Sequence, residues 1–308
     1  MGGPDVSGGA MIGPICIGSV LWDIIGKTDR AMKQGHDVPG RITRIPGGVA
    51  YNIAQELVRL GRRPVLLSSV GQDADGAGLL AHCETMGMQV DHVHVAPDLR
   101  TDSYMAIEDA NGLVAAIADA HSLEQAGDLI LQPLFDGRLG SARQPYRDMI
   151  VIDGNLTTDL LATICKRPEF SRADVRVVPA SPGKAERLLP FFQMPNAAFY
   201  VNRYEAEILC NQKFATATAA AAGMLAQGAA RAIVTDGNAS VCDAITGGDP
   251  VTVPVPQVAH VARVTGAGDT FLAAHMQAEL TGYNRTQALT HAAAAASAYV
   301  CGKDTYEF

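Results

Sequence analysis

Several patterns that would place this chain in a common functional class are missing from its 308-residue sequence. The six cysteines are scattered, and no two of them have the C-x-x-C spacing of a zinc or redox motif. The formal net charge is −8 and there is no basic block, so we expect neither nucleic acid nor an anionic membrane surface as a partner. Glycine, aspartate or proline breaks the longest apolar runs well before membrane-spanning length.

Signals for secretion and for dinucleotide binding are missing as well. Residues 1–10 are glycine-rich but have no basic start and no long apolar core, so we expect them to be disordered or left over from cloning. The first apolar run leads into Gly18-Ser19-Val20-Leu21 rather than G-x-G-x-x-G, which disfavours a Rossmann dehydrogenase. Most cysteines lie in apolar runs, as expected for buried free thiols in a reducing cytosol. We therefore predict a cytoplasmic protein.

The sequence does contain the pattern of a large α/β core. Hydrophobic residues make up 48% of the chain, which is ample for one such core. Strand-like runs at 64–71 and 90–95 flank a helical run at 75–86, and two helical runs at 270–280 and 285–300 come last. Strands that alternate with helices of this length predict parallel βαβ units.

One segment breaks this alternation. Two strand-like runs, Ser103–Glu108 and Leu113–Asp119, are joined by Asn111-Gly112, a strong hairpin signal. A hairpin inserted among βαβ units is expected to lie off the main sheet. Together with the alternating run Arg41–Ile45 it would form a small lid sheet, although a simple edge hairpin fits the same pattern.

A turn of small residues precedes the first of the last two helical runs. Gly266, Ala267 and Gly268 allow close approach of a ligand to the backbone, and free amides at a helix start attract anions. Asp269 follows on the first helical turn. Its carboxylate fits two roles, a cap of the helix or a general base beside an anion site.

Two further motifs stand at predicted helix starts. Gly47 and Gly48 precede a helical run that carries Asn52 on its first turn, and a double glycine costs backbone entropy that calls for a reason. Asn202 and Glu205 form N-x-x-E, which brings an amide and a carboxylate together within one turn. The same spacing is also that of a capping box.

These three motifs, in their order along the chain, resemble the signatures of ribokinase-like (PfkB-type) carbohydrate and nucleoside kinases. The resemblance covers about residues 16–302. It implies a three-layer α/β/α fold with a mainly parallel central sheet and a small β lid. The kinase domain would occupy residues 11–308, with lid segments near 21–46 and 100–120. It also implies ATP and Mg²⁺ as cofactors and an alcohol group as the phosphoryl acceptor.

The resemblance assigns roles to the residues at the acceptor side of the site. Asp269 would be the general base, with the amides of Gly266, Ala267 and Gly268 as the anion hole. Asp23 would accept hydrogen bonds from sugar hydroxyls, although a turn or capping aspartate is the alternative. Gly47 and Gly48 would let the sugar approach the helix start. Asn52 would bond a ribose hydroxyl, with an ordinary solvated helix residue as the alternative.

Further roles concern the nucleotide. Asn202 and Glu205 would order the phosphates and the water shell of Mg²⁺. Thr235 and Gly237 match positions that meet the ATP ribose and phosphates, but a tight Asp-Gly turn explains them equally well. Lys184 is a candidate phosphate ligand, or else an ordinary surface lysine.

The hairpin narrows the resemblance within the family. Residues 104–109, 114–121 and 151–156 are similar to the corresponding segments of pseudouridine kinases. A carbon-linked uracil offers two N–H donors and two carbonyls, with which Thr101, Ser103 and Asp119 would form hydrogen bonds. Polar residues of a lid are also commonly just solvated.

The predicted reaction is therefore ATP-dependent phosphorylation of a nucleoside 5′-hydroxyl, with pseudouridine as the substrate. The alternatives are a ribokinase, another sugar kinase or a purine nucleoside kinase. A noncatalytic sugar or nucleotide sensor is the alternative from a different class. In the family the lid often pairs two subunits, so we expect a homodimer.

Two positions depart from the family pattern. Many members have Asp-Pro where this chain has Pro179-Ala180, which puts one expected contact in doubt. Ribokinases often carry an aspartate of a monovalent-cation site six residues before the catalytic one, and here that residue is Arg263. An arginine is a poor neighbour for a cation, so we do not expect potassium activation through that site.

Overall fold

The computed structural model describes residues 13–303, so the expectation for residues 1–10 lies outside the described residues. Fourteen strands occur in this range. They are β1 Ile15–Ile17, β2 Leu21–Lys27, β3 Arg41–Gly47, β4 Val65–Leu67, β5 Ser69–Gly71, β6 His94–Ala96, β7 Ser103–Asp109, β8 Gly112–Asp119, β9 Met149–Asp153, β10 Asp174–Val178, β11 Ala197–Asn202, β12 Arg231–Thr235, β13 Ser240–Ile245 and β14 Val251–Pro254.

Nine α-helices occur in the same range. They are α1 Val49–Arg59, α2 Ala74–Thr85, α3 His121–Ala126, α4 Gln132–Phe135, α5 Thr158–Ile164, α6 Arg203–Cys210, α7 Ala217–Ala226, α8 Ala267–Leu280 and α9 Arg285–Val300. Three segments at 127–131, 168–170 and 182–193 are 3₁₀ helices. None of the helices between residues 13 and 303 has the length and apolar character needed to cross a membrane.

The central sheet has eight strands in the order β14-β13-β12-β11-β10-β9-β1-β4. The six strands from β12 to β4 are parallel, and β13 and β14 are antiparallel to their neighbours. Side chains alternate across it: Ile15 and Ile17 join one buried cluster, and Cys16 joins the other. Helices cover both faces, which confirms the predicted three-layer α/β/α fold with a mainly parallel sheet.

The hairpin of β7 and β8 joins β2 and β3 in a separate four-stranded sheet, the lid sheet, in the order β3-β2-β7-β8. Strands β2 and β7 are parallel, and the two outer pairs are antiparallel. The predicted small β lid is therefore present, and the pattern that revealed it was the Asn-Gly turn between two alternating runs.

A buried ion-pair network joins strands and helices at the amino-end edge of the central sheet. Glu279 near the end of α8 contacts Arg176 at 2.8 Å and Arg231 at 2.7 Å. Asp243, fully buried on β13, pairs with Arg231 at 2.8 Å and Arg285 at 2.9 Å. Opposite charges offset one another here, as burial of ionised groups requires.

Three element boundaries differ from the sequence-based expectation. The run 64–71 forms two strands, because the chain leaves β1 at Ser68 and pairs next with β6. Strand β6 is His94–Ala96 rather than 90–95. Helix α8 begins at Ala267 rather than 270, because Gly266 accepts the first helical hydrogen bond, from the Thr270 amide at 2.9 Å. Hydrophobic periodicity carries no information about a change of pairing partner or about cap geometry.

Candidate active site

Polar side chains gather where the parallel strands end. Ser19 follows β1, Asp153 ends β9, Asn202 ends β11 and Thr235 ends β12. Ligands of open α/β sheets bind in the crevice outside the carboxyl ends of the strands. This edge, together with the lid strands β2 and β3 that run into it, forms the candidate active site.

Asp269 and Asn52 meet at the starts of α8 and α1. The Asn52 Nδ2 donates a hydrogen bond to Asp269 Oδ2 at 3.0 Å. Burial raises the pKa of Asp269 to about 7, the Asn52 hydrogen bond opposes this rise, and the carboxylates of Asp153 and Glu56 add to it. A carboxylate with a pKa near neutrality can accept a proton from an alcohol and release it again.

This geometry predicts a pH dependence with a defined sign. Asp269 accepts a proton only when it is ionised, so kcat/KM of the wild type should rise with pH and level off above about 7. Asn52→Ala removes the donor that favours the ionised form, so the rise should move to higher pH. Gln55→Ala, one turn further along α1, is the control and should leave it in place. Identical pH profiles for all three proteins would contradict the assignment.

The amides around Asp269 are not all available to a ligand. The Ala267 amide donates to the Val264 carbonyl at 3.1 Å, so in this structure it is not free for an anion hole. The amides of Gly268 and Asp269 donate to no protein acceptor within residues 13–303. They sit on the first turn of α8, where the helix dipole also favours negative charge.

The start of α1 is capped by residues distant in sequence. Gly48 provides no side chain, so Ser19 Oγ accepts from the Val49 amide at 3.0 Å and Asp153 Oδ2 accepts from the Ala50 amide at 3.1 Å. Asp153 also accepts from the amides of Ser19 and Asn155, each at 2.8 Å. Gly48 has φ +99°, and a Cβ there would lie 2.4 Å from the Ser19 carbonyl oxygen, so only glycine fits.

Asp23 lies on β2 against the backbone of Gly47. A Cβ on Gly47 would lie 2.0 Å from Asp23 Oδ2, which shows how closely the carboxylate approaches. It accepts no hydrogen bond from any residue in the range 13–303, and burial raises its pKa to about 6. A half-buried carboxylate without a protein donor has acceptor capacity left for ligand hydroxyls.

The lid residues predicted to meet the base take different positions. Ser103 pairs across the sheet with Trp22 and Asp119, whereas Asp23 pairs with Tyr104. Since cross-strand partners share a face, Ser103 and Asp119 lie on the face opposite to Asp23. Tyr104 therefore lies on the Asp23 face, which the sequence alone did not reveal because face assignment requires the register between strands.

Two of these predicted residues already have protein partners. Asp119 is exposed and contacts His121 Nδ1 at 2.6 Å, which lowers the pKa of Asp119. The Thr101 hydroxyl donates to Asp73 Oδ1 at 2.6 Å and accepts from the Gly71 amide at 3.1 Å. In this structure Thr101 links the segment before β7 to Gly71 and Asp73, Asp119 makes a local contact with His121, and a contact of either residue with the nucleobase stays a prediction.

At the nucleotide side, Asn202 and Glu205 form the capping box that the sequence allowed. Asn202 Oδ1 accepts from the Glu205 amide, and Glu205 Oε2 accepts from the Asn202 amide, both at 2.9 Å. Burial raises the pKa of Glu205. Its Oε1 remains an acceptor that suits a water bound to Mg²⁺. The described residues contain no group of three or more His, Cys, Asp or Glu that could hold a metal by themselves.

The neighbouring strand end carries the other two predicted nucleotide residues. Thr235 ends β12 directly beside Asn202 in the sheet. Gly237 lies in the turn that follows, where the Asp236 amide donates to the Ser240 carbonyl at 3.0 Å. Asp236 is itself paired with Arg203 at 2.8 Å. The turn and the strand end thus face the same edge of the sheet as Asn202.

Lys184 is half-buried rather than a simple surface residue. Its Nζ donates to Asn155 Oδ1 at 2.7 Å, and Asn155 Nδ2 donates to Ser19 Oγ at 2.8 Å. Burial lowers the pKa of Lys184, and no carboxylate within residues 13–303 forms an ion pair with it. A cation held by the neutral Asn155 amide near the start of α1 suits a phosphate ligand.

Comparison with known proteins agrees with this geometry. The chain matches the model of the pfkB family of carbohydrate kinases over residues 13–307 and belongs to that family. It is thus an ATP-dependent kinase of the carbohydrate and nucleoside class. It is 29% identical to the pseudouridine kinase of Escherichia coli K12 over 272 residues, covering 84% of this chain and 81% of the relative. It is 28% identical to the ribokinase of Bacillus subtilis over 306 residues, covering 93% and 92%.

A solved structure confirms the fold. The Arabidopsis thaliana ribokinase complexed with ribose and ATP superposes with a TM-score of 0.74 at 21% identity, over 94% of this chain and 93% of that one. At this identity the likeness supports the architecture and leaves the substrate open.

Proposed function

We propose that this kinase transfers the γ-phosphoryl group of ATP to the 5′-hydroxyl of a nucleoside, with pseudouridine as the substrate. The observation that carries the reaction is the Asp269 carboxylate, which Asn52 orients at 3.0 Å and whose pKa burial raises to about 7. The likeness to pseudouridine kinases from two organisms, at 28% and 29% identity, supports the choice of substrate.

The proposed mechanism uses the groups at the two helix starts. Asp269 accepts the proton of the primary hydroxyl as its oxygen attacks the γ-phosphorus. The free amides of Gly268 and Asp269 stabilise the charge on the transferring phosphoryl oxygens. Asp23 accepts hydrogen bonds from sugar hydroxyls, and Lys184 neutralises phosphate charge. Glu205 would accept hydrogen bonds from water bound to the Mg²⁺ of ATP, and that ion would supply the remaining positive charge.

A ribokinase is the second candidate. The alignment with the Bacillus subtilis ribokinase is longer than that with the pseudouridine kinase, and Asp23, Asn52 and the glycine pair would serve ribose equally well. The experiment that decides is ATP consumption with ribose, uridine, pseudouridine, adenosine and fructose. Turnover with pseudouridine alone supports the first proposal. Turnover with ribose or adenosine alone moves the assignment to another substrate, and no turnover with any of them counts against both candidates.

We also propose that two copies pair through the lid sheet in the cytoplasm. One face of the sheet carries Ile24, Ile42, Met105 and Ile117, and the last three are 79%, 47% and 70% exposed. Exposed apolar side chains grouped on one face of a sheet are typical of an interface, and here Arg44 shares that face beside Ile24. We expect a dimer by light scattering and a monomer for Ile117→Arg, with Leu189→Arg, elsewhere on the surface, as the control. A monomeric wild type would refute the pairing.

A further inference from the structure

The turn that begins α8 is held from behind by the end of α9. The Tyr299 hydroxyl donates to the Thr265 carbonyl at 2.9 Å. Gly266 has φ +91° and rests on the same hydroxyl, because a Cβ there would lie 2.4 Å from Tyr299 Oη. The Tyr299 hydroxyl therefore fixes the positions of Thr265 and Gly266, which directly precede the segment with the free amides of Gly268 and Asp269.

Arg263 fixes the phenol in turn. Its guanidinium carbon lies 3.8 Å from the centre of the Tyr299 ring, a stacked cation–π contact. Its Nε donates to the Tyr299 carbonyl at 3.1 Å and its Nη2 to the Lys303 carbonyl at 3.4 Å. The last carbonyls of a helix lack helical partners and carry the negative end of its dipole, so a guanidinium suits this position.

Apolar packing contributes little to the position of this loop. Val261 and Val264 are 56% and 68% exposed, so neither side chain anchors it in the core. The backbone contact from the Ala262 amide to the Val300 carbonyl, at 2.8 Å, also ends on α9. Polar contacts with the end of α9 thus set the geometry of the turn, whereas the fold depends on the two buried clusters elsewhere.

We propose that Arg263 and Tyr299 are positioning residues for phosphoryl transfer, which together hold the amides of Gly268 and Asp269 in line with the transferring phosphoryl group. This inference rests on the proposed function. In this arrangement neither side chain contacts the substrate. Arg263 fixes the Tyr299 ring, and the ring hydroxyl fixes Thr265 and Gly266. Contacts made to charge that develops in the transition state affect kcat more than KM.

The test compares Arg263→Ala and Tyr299→Phe with matched controls. Because a displacement of about 1 Å in a catalytic group can cost about a hundredfold in rate, we expect kcat to fall by about ten- to a hundredfold in both variants, with the nucleoside KM within about twofold of the wild type. Millimolar guanidinium should restore kcat in Arg263→Ala, where it can reoccupy the vacated position, but not in Tyr299→Phe. Arg172→Ala, an exposed arginine, and Tyr283→Phe, at the other end of α9, should behave as the wild type.

Hydrogen exchange of residues 261–272 gives a readout that does not need activity. Both test variants should exchange faster in this segment, and both controls should not. If the wild type phosphorylates a substrate while the test variants keep its kcat and exchange pattern, the inference is overturned. A fall in kcat without guanidinium rescue and with unchanged exchange also overturns it. If the wild type is inert on every substrate but exchange changes as expected, the proposed function fails and the positioning contact stands.

Discussion

Asp269→Asn should lower turnover by at least about a hundredfold, the scale of general-base catalysis, while ATP still binds. The amide is nearly the same size as the carboxylate but cannot accept the hydroxyl proton. Single-turnover phosphoryl transfer measures the loss, and calorimetric titration with ATP measures binding. ATP affinity should stay close to that of the wild type, because the amides on the first turn of α8 are unchanged.

A matched substitution separates chemistry from a general effect of removing a charge. Asp249→Asn changes an exposed aspartate in the turn between β13 and β14, at the amino-end edge of the sheet. It should have wild-type turnover. Near-normal turnover in Asp269→Asn would remove the basis of the proposed mechanism, whatever the control does.

Asp153→Ala should cost about 3 kcal/mol or more of the free energy of unfolding, because it leaves three amides, two of them in buried residues, without an acceptor at about 1–3 kcal/mol each. These are the amides of Ser19, Ala50 and Asn155. The substitution also removes negative charge from the start of α1, where the helix dipole favours it. Urea unfolding measures the loss. Asp153→Asn keeps one acceptor oxygen, so its free energy of unfolding should lie between those of the wild type and Asp153→Ala.

The control for this stability experiment is an aspartate whose partner is at the surface. Asp136 pairs with Arg138, and both side chains are exposed to solvent. Exposed ion pairs contribute little to stability, so Asp136→Ala should unfold at nearly the wild-type urea concentration. If Asp153→Ala matched Asp136→Ala, the cap of α1 by Asp153 would not be a significant source of stability.

Local patterns were enough to predict part of this site. The glycines before α1 and α8 and the positions of Asn52 and Asp269 follow from small residues at a helix start, a signal contained within a few residues of sequence. The lid sheet followed from the Asn-Gly hairpin. The capping box of Asn202 and Glu205 was one of two readings that their spacing allowed, and the structure forms it.

Contacts between distant segments could not be predicted in the same way. Asn52 and Asp269 are 217 residues apart, and Ala50 is 103 residues from Asp153, so no spacing rule connects them. The sequence predicted a sugar contact for Asp23 and base contacts for Ser103 and Asp119, and it did not reveal that strand pairing places the latter two on the face opposite to Asp23. Face assignment requires the register between strands, which a single strand does not reveal.

The ion pairs at the far end of α8 have a consequence for how this enzyme moves. Glu279 forms ion pairs with Arg176 on β10 and Arg231 on β12, so α8 is fixed to the sheet nearly three turns beyond Asp269. Helix α8 cannot move relative to the central sheet without separating buried opposite charges. We therefore expect Asp269 to keep its position relative to the central sheet, so that closure over the site would be a movement of the lid sheet.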